Sequence, residues 1–296
     1  IKRAADELGY RPNVLARAMI TGKSRIIGLV VYYLENQFYP EAVEKLSIAL
    51  QENGYHVLLF MASNTVGDVE PVVQSIMDYR VDGIIMVSVS LSSTLADRCR
   101  EHGIPVLLFN RDQPDDQLRA VTSDNRAGGR IAARMLLEGK PKRIAHLAGF
   151  EGASTQADRE EGFLATLAEA GHSLHSRASG NYHYVEAADA TRELFDVAER
   201  PDALFVSDDH MAFAALDVIR YEFGLRVPVD VSVVGFDDVP QASWPSFNLS
   251  TVRQRVNVMV STAVNDLIGA IEGKPQSTLK QLIEPVPVHR GTTRRD

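Results

Sequence analysis

The 296-residue chain is 45% hydrophobic and 24% charged, a composition that suits a globular protein with room for two cored domains. Its net charge of −8 argues against nucleic-acid binding by the chain as a whole. The one cysteine, Cys99, rules out an internal disulfide and fits a reducing, cytoplasmic compartment, and no apolar run reaches the roughly 18 to 20 residues that span a bilayer.

The charge is unevenly spread. Residues 1–25 hold Lys2, Arg3, Arg11, Arg17, Lys23 and Arg25 against Asp6 and Glu7, a net of +4 that leaves −12 on the remainder. A basic arm on an acidic body suits contact with a polyanion, and it also suits a solvated terminal helix. The arm contains "TGKS", the tail of a phosphate-loop signature. The position where that motif needs its first Gly is Arg17, and the strand follows the motif instead of preceding it. Both departures exclude a nucleotide loop.

From Ile26 onward apolar runs alternate with helical patterns. "IIGLVV" predicts a strand, then a helix over 41–51 carries Val43, Leu46 and Leu50 on one face and stops at Asn53-Gly54. "HVLLFM", a helix over 68–80, "GIIMVSV", a helix over 94–102 and "IPVLLF" complete a first series. "RIAHLAG", helices over 158–170 and 185–199, "ALFV", a helix over 209–223 and "VSVVGF" form a second. A helix over 256–272 and a strand over 280–286 end the pattern. Apolar runs without polar alternation suit parallel strands covered on both faces. The expectation is an α/β protein of two doubly wound parallel-sheet units, 26–140 and 141–250. A ligand would sit in the cleft beyond the strands' carboxyl ends.

Several local clusters invite chemistry. "SDDH" at Ser207, Asp208, Asp209 and His210 suggests a metal site, but neighbours on a helix diverge by about 100°, and an N-cap is the plainer reading. "GFEG" lacks the spacing of a dinucleotide loop. No G-x-S-x-G elbow is present, and Cys99 falls mid-helix. Neither a catalytic pair, a cofactor nor a metal is expected. Arg159 and Asp237 differ, since each falls at or just after a strand end. A guanidinium that donates and a carboxylate that accepts can together hold vicinal hydroxyls. Phe38 and Tyr39 can add an apolar face. An ordinary ion pair with core aromatics is the alternative.

The stretches "ELGYRPNVLARAMITGKSRIIGLVV", "ENQFYPEAVEKL", "YRVDGIIM", "GIPVLLFNR", "SDNRAGGR", "ADREEGFLATL", "LRVPVDVSVVGFDD" and "LSTVRQ" together resemble the lac repressor/galactose repressor family of bacterial transcription regulators. The resemblance covers essentially the whole chain. It implies the periplasmic-binding-protein-like type I fold behind an N-terminal hinge segment. Residues 1–25 would be the end of a helix-turn-helix headpiece, its recognition helix missing upstream, and a hinge helix. Residues 26–140 plus 253–276 would form one effector-binding subdomain, and 141–252 plus 277–290 the other. The chain would cross between them near Lys140, near Arg253 and before Lys280.

The same resemblance implies that Ala16, Arg17 and Met19 meet operator DNA in the minor groove, Met19 as an apolar wedge where the family most often has Leu. It places Phe38, Tyr39, Ser88, Arg111, Asp124, Arg159, Asp209, Asp237 and Trp244 at the effector site. Asp208-Asp209 stands where the family usually has Asn-Asp, which adds a negative charge. The implied function is a homodimeric, sugar-responsive repressor with neither enzymatic activity nor a membrane anchor. A periplasmic-type sugar-binding protein shares the body fold, but the basic segment argues against it.

Overall fold

The computed structural model describes residues 23–62, 70–89, 91–274 and 278–295. Ala16, Arg17 and Met19 lie outside them. The first unit contains β1 (Ile26–Val31), α1 (Phe38–Glu52), β2 (His56–Met61), α2 (Glu70–Asp78), β3 (Gly83–Val87), α3 (Ser93–Glu101), β4 (Val106–Phe109) and β5 (Arg119–Ser123). A late strand, β11 (Lys280–Ile283), joins them, and the sheet runs β11-β5-β4-β3-β1-β2 with every neighbouring pair parallel. Every residue of β3 and β4 is buried, as unbroken apolar runs require when helices cover both faces.

The second unit contains β6 (Ile144–Ala148), α5 (Ser154–Glu169), β7 (Ser176–Ser179), α6 (Tyr184–Phe195), β8 (Ala203–Val206), α7 (Asp209–Asp217), β9 (Ser232–Asp237), β10 (Ser250–Arg253) and β12 (Val286–Val288). Its sheet runs β12-β10-β9-β8-β6-β7, with only the β10–β12 pair antiparallel. A π-helical turn at 218–222 continues α7. The helix expected over 209–223 is therefore regular only in its first part.

The crossings differ from those expected. A helix α4 (Asn125–Leu137) follows β5, and its Ala132, Ala133, Met135 and Leu136 pack with Ile144, Phe163 and Phe236 in the second core. The first crossing is thus at Asp124, not near Lys140. Glycine makes the packing possible. A Cβ on Gly129 would stand 2.0 Å from the Arg159 carbonyl oxygen, and one on Gly162 would stand 2.0 Å from that of Arg126. Only Gly on both helices lets the backbones of α4 and α5 approach this closely.

The second crossing falls just after β10. There α8 (Val256–Ile271) returns to the first unit and lays Leu267 and Ile271 over Gly83. The expected strand over 280–286 is two strands in two sheets. Lys280–Ile283 pairs with β5, so residues 280–283 belong with the first unit and not the second. The third crossing follows Ile283, and β12 then pairs with β10.

The edge strands depart from the two-sided pattern. β2 is a sheet edge, and Leu59 and Met61 are about half exposed. An edge strand needs cover on fewer sides than a central one.

Candidate functional site

The carboxyl ends of both sheets meet across a cleft. Several non-glycine residues there hold left-handed backbone conformations: Ser88 after β3, Asn110 after β4, Asn181 and Tyr182 after β7, and Asp237 and Asp238 at the end of β9. Such conformations cost free energy and persist where the surroundings enforce them, which is common at ligand sites.

A cavity of about 400 Å³ opens in this cleft, a size within the usual range for small-molecule sites. The first unit lines it with Tyr32, Tyr33, Tyr39, Val87, Ser88 and Arg111. The second unit contributes Phe150, Asn181, Tyr182, His183 and Glu186. Ser88 Oγ donates to the Tyr39 hydroxyl at 2.8 Å. Asn181 Nδ2 donates to Glu186 Oε2 at 2.7 Å. Tyr33 stands edge-on to His183 with ring centres 5.1 Å apart. Burial raises the phenol pKa of Tyr33 and Tyr39, and lifts that of Tyr182 to about 12. These hydroxyls stay protonated and can donate.

A buried polar cluster adjoins the cavity. Arg159 is 3% exposed and lies over the Phe236 ring, 3.7 Å from its centre. Its Nε donates to Asn125 Oδ1 at 2.9 Å, Nη1 donates to the Ser207 carbonyl, and Nη2 is 3.8 Å from Asp237 Oδ1. Gln254 Nε2 donates to that same carboxylate oxygen at 2.7 Å. Asp208 caps α7 through the Met211 amide at 2.8 Å, and its other oxygen accepts from Asn36 Nδ2 of the first unit.

Burial, then the charge of Asp237, raises the Asp208 carboxyl to about 7. Burial lifts Asp237 to about 6 despite the opposing pull of Arg159. Asp209 is likewise raised by burial and by Asp237. The side-chain oxygens of Asn110 and Gln254, buried at the ends of β4 and β10, meet no hydrogen-bond donor among the described residues.

The expected site residues divide into groups. Tyr39, Ser88 and Arg111 line the cavity, and Arg159 and Asp237 form the adjoining pair. Phe38 is buried edge-on to Tyr39 and lines a separate cavity of about 390 Å³ near the crossings, with Asp237 and Gln254. Asp124 caps α4 through the Ala127 amide. Asp209 is fully buried and bound to the Thr251 hydroxyl and the Val239 amide. Its neighbour Asp208 is the one that reaches across the cleft. Trp244 ends a short 3-10 helix, 51% exposed and outside the cavity lining.

Tyr33, Phe150, Tyr182, His183 and Glu186 escaped the sequence reading. Tyr32-Tyr33 directly follows a predicted strand and was open to discovery. Tyr182 and His183 follow β7, whose polar "SRAS" carries no strand signal.

One arrangement imitates a hydrolytic triad. His146 Nε2 is 2.9 Å from Ser207 Oγ, and His146 Nδ1 is 3.6 Å from Glu160. Ser207 and His146 are fully buried, and Ser207 gives its proton to Gln156. No substrate can reach that hydroxyl. Among the described residues no cluster of His, Cys, Asp or Glu is placed to hold a metal, and no helix is long and apolar enough to cross a membrane.

Residues 133–293 match the periplasmic binding protein-like domain family. The chain is also 31% identical over 293 residues to the HTH-type transcriptional regulator CelR of Thermobifida fusca, covering 96% of this chain and 86% of that protein. The chain belongs to the lac repressor family of transcription regulators.

The structure of a CelR–cellobiose complex aligns with this regulator at a TM-score of 0.83 and 30% identity, over 98% of this chain and 89% of that one. A lac repressor dimer bound to operator and the anti-inducer ONPF aligns at 0.87 and 25% identity, over 99% and 88%.

Proposed function

We propose that this regulator represses transcription by binding operator DNA as a homodimer, and that an uncharged carbohydrate held between its two units sets its affinity for the operator. The observation that carries the ligand assignment is the buried Arg159–Asp237 pair, contributed by the second turn of α5 and the end of β9, next to a cavity with aromatic rings on both walls. Pyranose rings present apolar C–H faces to aromatics and hydroxyl edges to such a pair. The sugar complex of a 30% identical relative supports the same reading.

Charge argues for a neutral ligand. The Arg159 guanidinium is already engaged by Asn125, Ser207 and Asp237. Asp208, Asp209 and Asp237 crowd one end of the site. A sugar acid or phosphate would bring a further negative charge beside carboxyls that burial and mutual repulsion already push toward their protonated forms. The basic segment at residues 1–25, with Ala16, Arg17 and Met19, is our choice for the DNA-contacting part. Binding, and not catalysis, is our reading of the cleft, and the cytoplasm is where such a regulator works.

Thermal shift against neutral sugars, sugar acids and sugar phosphates tests the ligand class, since a native-state ligand raises the melting temperature by mass action. A neutral sugar should stabilise the protein, and Asp237→Asn should weaken that stabilisation at least ten-fold in ligand concentration. Stabilisation only by the acids or phosphates would overturn the neutral assignment. Fluorescence anisotropy of labelled promoter DNA, with and without the sugar, then tests the repressor reading. DNA binding indifferent to every bound sugar would sink the effector role.

A further inference from the structure

We infer that Asp82 is a positioning residue for DNA binding, because its carboxylate fixes the point at which the basic segment joins the body. The inference rests on the reading of residues 1–25 as the DNA-contacting part and deepens it.

Three donors converge on this one side chain. Asp82 Oδ1 accepts from the Ser24 amide at 2.8 Å and from Ser24 Oγ at 2.9 Å, and Oδ2 accepts from the Arg25 amide at 3.0 Å. A carboxylate only accepts, and its two oxygens have room for all three bonds. Asp82 is itself a fixed point. Its amide donates to the Ile26 carbonyl at 2.8 Å, and it directly precedes β3, a strand buried along its whole length. Arg25 is held in turn. Its φ of 58° is left-handed, its carbonyl oxygen accepts from the His56 amide at 2.7 Å, and its guanidinium lies 5.0 Å from the centre of the Tyr55 ring. A non-glycine residue keeps such a φ where its surroundings enforce it.

The second unit repeats the device with a difference. Asp202 precedes β8 as Asp82 precedes β3, and it accepts from the Lys142 and Arg143 amides ahead of β6. Ile144 pairs with Ala203 there, so Asp202 holds the residue opposite itself and the one before. Ile27 pairs with Gly83, so Ile26 stands opposite Asp82. Asp82 instead holds the two residues before Ile26, and it takes the Ser24 hydroxyl as well. Fastening the entry of a strand accounts for both carboxylates. It does not account for the grip reaching one residue further upstream in the unit that carries the basic segment. Positioning that segment does, since a segment held at its root loses less freedom when it binds.

Charge sets the sign of the test. Removing an acid beside a basic segment strengthens its attraction to phosphates. Electrostatics alone therefore predicts tighter DNA binding without Asp82, and positioning predicts weaker binding.

Fluorescence anisotropy of the whole regulator on labelled DNA from its own promoter, with a random-sequence duplex beside it, reads the difference across a series of salt concentrations. Asp82→Ala should weaken promoter binding by about ten-fold or more and leave the slope of affinity against salt unchanged, because no phosphate contact is lost. Asp78→Asn is the charge control. Asp78 is exposed in the wall of a cavity it shares with Asp82, and its loss should leave promoter binding as tight as wild type or tighter. Asp82→Asn makes the same charge change but keeps one acceptor for Ser24. It should bind about three-fold more weakly than Asp78→Asn, and it carries the test if Asp82→Ala does not fold. Asp202→Ala should lower the melting temperature and leave promoter affinity within about two-fold of wild type.

Promoter binding as tight as wild type in both Asp82 variants overturns the inference and leaves the DNA-binding reading intact. Equal losses in Asp82→Ala and Asp202→Ala overturn it in favour of a role in folding alone. A wild-type protein that binds its promoter no more tightly than the random duplex overturns the reading, and the inference with it.

Discussion

Asn36 Nδ2 of the first unit donates to Asp208 Oδ2 of the second at 2.8 Å, and both side chains are almost fully buried. Asn36 Oδ1 in turn accepts from the Phe38 amide at 2.9 Å, so the side-chain amide is oriented by the start of α1. The other Asp208 oxygen is held by the first turn of α7. Each half of this bond is thus fixed by its own helix N-terminus, and the bond ties the two units together across the cleft. His210 and Gln37 make a second, weaker contact across the same seam, at 3.3 Å.

This bond links closure to pH. Asp208 lies against Asp237, Arg159, Asn36 and the Met211 amide, and burial raises its carboxyl to about 7. Opening the cleft returns it toward the ordinary carboxylate range near 4. The closed form therefore binds the extra proton. Its advantage is complete below the open-state value and is lost as pH rises through about 7. Asp237, raised to about 6, acts in the same direction. Effector affinity of a closed-state ligand should fall between pH 6 and 8, by no more than about ten-fold per pH unit for one proton. Asp208→Asn should flatten the profile. An unchanged slope in that variant, measured by titration calorimetry, would remove Asp208 from the linkage.

Asn36→Ala should destabilise the protein by about 1–3 kcal/mol, because the buried Asp208 oxygen loses its donor. Asn36→Asp should cost more, since it sets two carboxyls face to face. Urea unfolding of the three proteins side by side measures both. Equal midpoints for wild type and Asn36→Ala would show that the bond contributes nothing to stability.

Gly129→Ala and Gly162→Ala should each destabilise severely. Each added methyl would sit 2.0 Å from a backbone carbonyl oxygen of the facing helix, and a backbone cannot rotate away as a side chain can. Overpacking costs typically about 1–3 kcal/mol and occasionally more. Melting temperatures give the readout. Gly54→Ala is not the right control, because Gly54 has a left-handed φ of 76°. Gly→Ala in a helix with open space would be slightly favourable, so even a neutral result at Gly129 would contradict the packing described.

Trp244 is the single tryptophan of the chain and lies outside the cavity lining. Trp244→Phe should leave effector affinity within about two-fold of wild type, because a side chain makes its energetic contribution where it is desolvated by the ligand. Saturating sugar should leave the tryptophan's quenching by acrylamide unaltered at a fixed oligomeric state. A loss of affinity beyond ten-fold would return Trp244 to the effector site.

How far the chain was readable depended on how local each signal is. The strands β1, β2, β3, β4 and β8 stand out as apolar runs, and their boundaries match within a few residues. The strands β5, β7 and β10 do not, because "RAVTS", "SRAS" and "STVR" are short and polar. They become strands by pairing: β7 lies in register with β6, Ala145 opposite Ser176 through Ala148 opposite Ser179. The pairing partner is remote in sequence, so no window around β7 contains the reason for it.

The site shows the same division. Arg159 and Asp237 were recognisable from their chemistry as a donor and an acceptor that could face one another, and the structure places them 3.8 Å apart. Choosing between Asp208 and Asp209 was not possible at that level. Neighbours at a helix start point in different directions, and here the first faces Asn36 while the second is consumed by Thr251 and Val239.

By itself the amino-acid sequence determined the two-unit parallel α/β architecture, the family, the uneven charge and the polar and aromatic residue types available to a ligand. These are carried by local periodicity, composition and ordered motifs. Only the tertiary structure decided where the chain crosses between units, which carboxylate bridges the cleft, and which aromatic rings line it. Those outcomes depend on how closely two helices can approach and on contacts between residues far apart in the chain, and neither is encoded within any short stretch.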